Sequence, residues 1–207
     1  MRDKITILIA DDHLIVRTGI AALLGTERDF QVVGQAKNGI EAVREAARLR
    51  PDVVIMDLVM PKKDGVEATA EISEKAPGSR VILLTTFGTS DGIAHALAAG
   101  AKGAILKNAD NAELVMAIRT VHEGWEYVST AIRQQLAADP PIPQLTPRQK
   151  EILAAMVRGL TDRDISHQLG IRLDGVNDHV RAILAKICAA NRTEAVAIAM
   201  RKHLLKT

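Results

Sequence analysis

The sequence predicts an α/β fold, a doubly wound parallel sheet of five strands, followed by an all-α part of four helices. Three observations lead there. Over residues 4–123, short runs rich in Val, Ile and Leu alternate with stretches of helical period. A proline-rich break, "DPPIPQ" at 139–144, then interrupts the pattern. Beyond it every apolar pattern is helical. Alternating strands and helices specify a parallel sheet with helices on both faces.

The strands are read in "KITILIA" (4–10), "QVVGQA" (31–36), "DVVIMD" (52–57), "RVILLTT" (80–86) and "KGAILK" (102–107). Several are apolar on consecutive positions, as strands covered on both faces are. The intervening helices are expected over 13–25, 39–49, 65–76, 90–99 and 110–123. "GIEAVREAARLR" shows the reason: apolar residues at 40, 43, 46 and 47 oppose a charged face. Pro51 and Gly100 serve as stops. After Tyr127, "STAIRQQLAA" reads as a short helix capped by Ser129. The prolines that follow form a semi-rigid linker. Thr146 then caps a helix with Pro147 at its first position, running to about Arg158. "TDRDISHQLG", ended by Gly170, "DGVNDHVRAILAKI" and "RTEAVAIAMRKHLL" supply three more. The expected division is a first domain over 1–125, a linker with a short helix over 126–144, and a second domain over 145–207.

Composition narrows the class. Of 207 residues, 47% are apolar but only 2% aromatic, so the cores must be built from Ala, Val, Ile and Leu. No apolar run approaches the ~20 residues of a membrane span. "MRDKITILIADD" is too short and too acidic for a signal peptide. The single cysteine, Cys188, excludes an internal disulfide and fits a reducing cytoplasm. Its helical context reads as a small buried apolar residue. Residues 1–143 carry 16 Lys and Arg against 19 Asp and Glu, a net of −3; residues 144–207 carry 11 against 6, a net of +5. Many small domains are mildly basic, so the asymmetry alone decides nothing, but it asks whether the second part meets a polyanion.

Chemistry concentrates at the strand ends. Asp11 and Asp12 end the first strand and Asp57 the third. In a common order of this fold those strands are neighbours beside the topological switch point, where ligands bind. Three converging carboxylates need a divalent cation, and oxygen donors from few side chains suit Mg²⁺. Thr85 ends the fourth strand and Lys107 the fifth; a hydroxyl and an ammonium there hold phosphoryl oxygens. One carboxylate can then attack a phosphoryl donor and become an aspartyl-phosphate.

"ADDH", "MDLVMPKKDG", "LLTTF" and "GAILK", in this order and spacing, resemble the receiver domain of bacterial two-component response regulators. The resemblance implies a flavodoxin-like sheet of order 2-1-3-4-5. It implies Asp57 as phosphoacceptor, charged by a sensor histidine kinase. It also implies Mg²⁺ held by Asp11, Asp12, Asp57 and the backbone carbonyl of Val59, with Thr85 and Lys107 on the phosphoryl group. His13 is expected at the helix entry, and His95 and His122 as structural or surface residues. Two departures stand out. Ala104 takes the place of the aromatic ring usual three residues before the lysine, which removes the usual partner of Thr85 in switching. Gly88 and Gly92, after the fourth strand, predict a mobile loop and a frayed fourth helix.

"LTPRQKEIL", "GLTDRDI", "LGI" and "VNDHVRAILAKI" resemble the helix-turn-helix output domain of the NarL/FixJ, or LuxR-type, subfamily. The resemblance places helix 161–169 across the DNA backbone, the turn at Gly170 and Ile171, and helix 174–187 in the major groove. Val176, Val180, Ile183, Leu184 and Ile187 form the core face of that helix at helical spacing. The implied DNA contacts are Asn177, Asp178, His179, Arg181, Arg172 and Lys186. Asn pairs with adenine, Arg with guanine, and Asp accepts from cytosine N4. Asn177 stands where relatives often carry Lys, and Gly175 where they carry Thr. The last helix carries an Ala/Ile/Met stripe that either pairs two output domains as a homodimer or faces its own core. The function expected is a phosphorylation-controlled transcription regulator, cytoplasmic and off the membrane. It is no enzyme, because Asp57 is consumed as a carrier. The alternative is a protein-interaction relay with weakened or lost DNA binding, which Asp178 and Gly175 favour. A phosphatase of the haloacid-dehalogenase type would need D-x-D at the first strand, and "ADDH" lacks it.

Overall fold

The computed structural model describes residues 4–86, 90–143, 145–202 and 204–205. The chain forms two compact units, residues 1–140 and 141–207.

The first unit runs β1 (Ile5–Ala10), α1 (Leu14–Leu24), β2 (Phe30–Ala36), α2 (Gly39–Leu49), β3 (Val53–Asp57), α3 (Gly65–Lys75), β4 (Arg80–Thr85), α4 (Ser90–Ala98), β5 (Gly103–Leu106), α5 (Asn111–His122), β6 (Tyr127–Val128) and α6 (Thr130–Ala138). All strand pairs are parallel, in the order β2-β1-β3-β4-β5-β6. The consecutive apolar positions of the central strands feed two cores. Leu8, Val54 and Leu83 meet Val43, Ile72, Ile93 and Ile132 on one face; Ile7, Ile55 and Ile82 meet Leu24 and Ile118 on the other. Along β1, β3 and β4 the side chains are almost all buried, as a sheet covered on both faces requires.

Three expectations need correction here. The sheet has six strands, not five. The Tyr127 N–H donates to Lys102 O and the Ser129 N–H to Ala104 O, both at 2.9 Å, which lays a two-residue edge strand along β5. The segment 126–138 is therefore no linker: Ile132 of α6 is fully buried, beside Ala104 in the first core, with Val128 and Leu136 packed against it. Finally, α4, expected to be frayed, is helical from Ser90 onward, with Ser90 and Asp91 buried in its first turn. Gly88, in the loop expected to be mobile, lies outside the described residues.

The second unit holds α7 (Pro147–Val157), α8 (Asp162–Leu169), α9 (Leu173–Lys186) and α10 (Arg192–Arg201). Thr146 with Gln149 and Thr161 with Asp164 form capping boxes that start α7 and α8. Gly170 ends α8 at φ +62°, the left-handed conformation glycine adopts without strain. Ile152, Leu153, Ile165, Val176 and Ile183 make the core, with Val180 and Leu184 half-buried against it. Ile142, from the proline-rich stretch, joins that core beside Leu145, which shortens the expected linker from its other end. Ala195, Ile198 and Ala199 face their own core, so that side of the last helix has no surface for a second copy. Cys188 departs from expectation: it lies past the end of α9 at φ +53° and is exposed. No helix among the described residues is long and apolar enough to cross a membrane.

Candidate functional site

The carboxyl ends of β1, β3 and β5 bring the acids and the lysine together. Because β1 and β3 run side by side, with Ala10 opposite Met56, Asp11 and Asp57 leave the sheet as neighbours. Asp11 and Asp57 are buried, whereas Asp12 is partly exposed. One donor atom each from Asp11, Asp12, His13 and Asp57 falls within 4.8 Å of the others. Lys107, at the end of β5, reaches in with Nζ 2.8 Å from Asp57 Oδ2 and 2.5 Å from Asp11 Oδ2. The Lys107 N–H donates to Thr85 O at 2.8 Å, so the hydroxyl-bearing and ammonium-bearing residues are tied through the backbone. Thr85 itself is buried.

Electrostatics follow from burial. Burial pushes the Asp57 carboxyl above the usual carboxylate range; the Lys107 bond and charge pull it back, and the Asp11 charge adds to the rise. For Lys107 burial opposes the charged form, but its two carboxylate partners outweigh it and lift the ammonium above the ordinary lysine value. Three acids and one lysine leave the cluster short of positive charge. Its donors are hard carboxylate oxygens in a partly open site, a set suited to a hydrated Mg²⁺. The Val59 N–H faces Asp57 Oδ1 at 3.5 Å, and its side chain is exposed in the loop after β3.

His13 occupies the N-cap of α1, as expected for a helix entry, but makes no side-chain capping bond. Its Nδ1 instead lies 2.7 Å from Asp12 Oδ1. His122 carries a buried Nδ1, while its carbonyl accepts from Arg80. Two features escaped the motif reading. Arg17 donates to the Asp11 carbonyl at 2.7 Å. A Cβ on Gly65 would stand 2.3 Å from the Asp57 carbonyl oxygen, so only glycine lets α3 start against the acid's own backbone. Both roles depend on contacts through space: Gly65 closes the quoted "MDLVMPKKDG", but the motif alone does not show what its Cα approaches.

In the second unit the expected base-reading residues do not share one environment. Asp178 and Arg181 are well exposed, at 76% and 82%, and Arg172 at 90%. Asn177 and His179 are half-buried. Lys186 is also half-buried and donates to Gln149 Oε1 at 2.9 Å, which holds it to the start of α7. Each exposed arginine has an acid nearby: Arg172 lies 3.7 Å from Asp174, and Arg181 3.8 Å from Asp178.

Comparison with known proteins agrees with this geometry. Residues 7–119 match the response regulator receiver domain family, and residues 143–199 match the luxR family of bacterial regulatory proteins. The chain belongs to the two-component response regulators with a receiver and a LuxR-type helix-turn-helix domain, which are transcription regulators. It is 35% identical to the oxygen regulatory protein NreC of Staphylococcus epidermidis, over 97% of this chain and 99% of that one. It is 36% identical to the transcriptional regulatory protein LiaR of Bacillus subtilis, over 97% and 99%. Among solved structures it resembles the response regulator ChrA of a heme-sensing two-component system (31% identity, TM-score 0.58, 98% of this chain and 99% of that one). An RcsB–DNA complex shares the fold (22% identity, TM-score 0.67, 96% and 98%).

Proposed function

We propose that this regulator accepts a phosphoryl group on Asp57 from a sensor histidine kinase, in the cytoplasm, and controls transcription by binding DNA through α9. The observation that carries the first half is the meeting of Asp57, Asp11, Asp12 and Lys107 at adjoining strand ends, with Lys107 2.8 Å from Asp57. An Asp57 carboxylate oxygen forms the new P–O bond while the donor's P–N bond breaks, and the departing imidazole takes up a proton. Lys107 and the Thr85 hydroxyl hold the transferred oxygens, and Lys107 offsets their charge. Asp11, Asp12, Asp57 and the Val59 carbonyl would hold Mg²⁺, which supplies further charge neutralisation to the transfer. Asp57 is consumed in each event and reset by hydrolysis, so the chain acts as a carrier and not as an enzyme.

The test is mass spectrometry of the intact chain with a small-molecule phosphoryl donor and Mg²⁺. A single acyl-phosphate adduct is expected, absent in Asp57→Ala and on addition of a chelator. An adduct that persists in Asp57→Ala refutes the assignment.

For DNA, Arg172 and Arg181 are exposed on and before α9, where phosphates and base edges would meet them. Asn177 and Asp178 lie beside them, and half-buried His179, midway along α9, either contacts a phosphate or packs against the domain. Lys186 contributes only if it leaves Gln149. A homodimer on an inverted repeat would pair away from the buried Ala195, Ile198 and Ala199, where Met200 is exposed. The second reading, an interaction relay with lost DNA binding, draws support from the acids beside both arginines. Selection of genomic fragments with and without phosphoryl donor separates the two. A regulator enriches a defined site with a steep salt dependence; a relay enriches none.

A further inference from the structure

We propose that Arg17 is a positioning residue for the acid pair, and that it sets the affinity of the site for a divalent cation. The inference rests on the Mg²⁺ reading given above.

The turn from β1 to α1 is held unusually. Asn38, Asp64, Asp110 and Ser129 cap α2, α3, α5 and α6 with a side-chain oxygen. The His13 side chain makes no such bond at α1, and that helix has no acid in its first turn. The imidazole is turned to Asp12. The restraint that a cap would give comes from Arg17 instead. One turn into α1, its guanidinium reaches back six residues to the Asp11 carbonyl, at 2.7 Å. Its own N–H closes the first helical turn on His13 O at 3.1 Å.

Asp11 is held by hydrogen bonds at three polar atoms, and its buried Oδ2, which has no hydrogen bond, is paired with the Lys107 charge. Its N–H donates to Ala36 O, Oδ1 accepts the His13 N–H, Oδ2 meets Lys107, and the carbonyl accepts from Arg17. Asp12 is different: its side chain is partly exposed, and the contact recorded for it is His13. The direction of the Asp12 carboxylate is therefore inherited from the peptide plane that Arg17 holds. A guanidinium bonded to the Asp11 carbonyl also repels a cation at the acid pair through its charge. Charge and positioning therefore predict opposite signs for its removal, which makes the role measurable.

The experiment is calorimetric titration of MgCl₂ into the full chain at fixed ionic strength, for wild type, Arg17→Lys and Arg17→Gln. Thermal melting in chelator runs alongside. Arg17→Gln is expected to weaken Mg²⁺ roughly tenfold, as the loss of a residue orienting a metal ligand does. Arg17→Lys should restore part of the affinity, and the melting temperature in chelator should fall by at most a few degrees, as for one lost helix cap, without following the affinity. Unchanged or tighter binding in Arg17→Gln overturns the proposal, because charge alone then describes Arg17. So does a fall in melting temperature that tracks the loss of affinity, because the role is then structural. Failure of the wild type to bind Mg²⁺ overturns the metal reading first and this proposal with it.

Discussion

At Gly65 one missing methyl group decides where Asp57 stands. The Gly65 N–H donates to Leu58 O at 2.9 Å, and a Cβ there would overlap the Asp57 carbonyl, which is backbone and cannot swing aside. Gly65→Ala is expected to cost about 1–3 kcal/mol in stability, the range for overpacking a rigid site, and to slow Asp57 phosphorylation. Chemical denaturation and acyl-phosphate mass spectrometry check the two effects. Asp57 itself is a carboxylate ionised against burial. A group whose folded pKa is raised favours the folded state below its unfolded pKa and loses that contribution as pH rises through the folded one. Asp57→Asn should therefore raise the melting temperature at neutral pH, and the gain should vanish below about pH 4, where the acid is neutral in both states. Melting curves from pH 3.5 to pH 8 decide it; a gain that persists at low pH contradicts the burial argument.

Among the elements, α6 carries the largest difference between what local pattern suggests and what packing produces. "STAIRQQLAA" is legible as a helix with Ser129 at its cap, and both features are present. Its docking in the first core with Ala104 is not legible, because it depends on contacts with residues distant in the chain. β6 escapes for a related reason: two residues cannot show a period, and Tyr127–Val128 becomes a strand only because β5 offers a free edge. Cys188 was misread because the α9 periodicity was carried one residue too far, past Ile187 into a left-handed turn. By contrast the five main strands, the acids at their ends and Lys107 were legible, since uninterrupted Val/Ile/Leu runs and terminal charges are local facts. If α6 is part of the first core, Ile132→Ala costs about 2–5 kcal/mol, the range for truncating a buried isoleucine; an exposed linker would show under about 0.5 kcal/mol. Urea denaturation distinguishes these. At the helix-turn-helix corner, Gly170→Ala should cost about 1–2 kcal/mol through its positive φ, in the same measurement.

On the scale of the whole chain, charge is divided along with structure: a net of −3 over residues 1–143 and +5 over 144–207. A polyanion is attracted by one half and repelled by the other. In the full chain, the slope of log affinity for the selected DNA against log salt is expected to fall by about 1 in Arg172→Ala, if that side chain neutralises one phosphate. Arg181→Ala, if it reads a guanine, should instead cost about 1–3 kcal/mol on the selected site and little on random sequence. Fluorescence anisotropy over a salt series measures both. The acids at 174 and 178 give this surface a particular character. Each local ion pair is exposed and worth under about 1 kcal/mol, yet it must loosen before its arginine can engage a new partner. Such a surface trades grip for choosiness. If α9 meets DNA as proposed, featureless backbone phosphate finds it already half neutralised, and tight association is left to sequences whose base edges also satisfy the freed carboxylates.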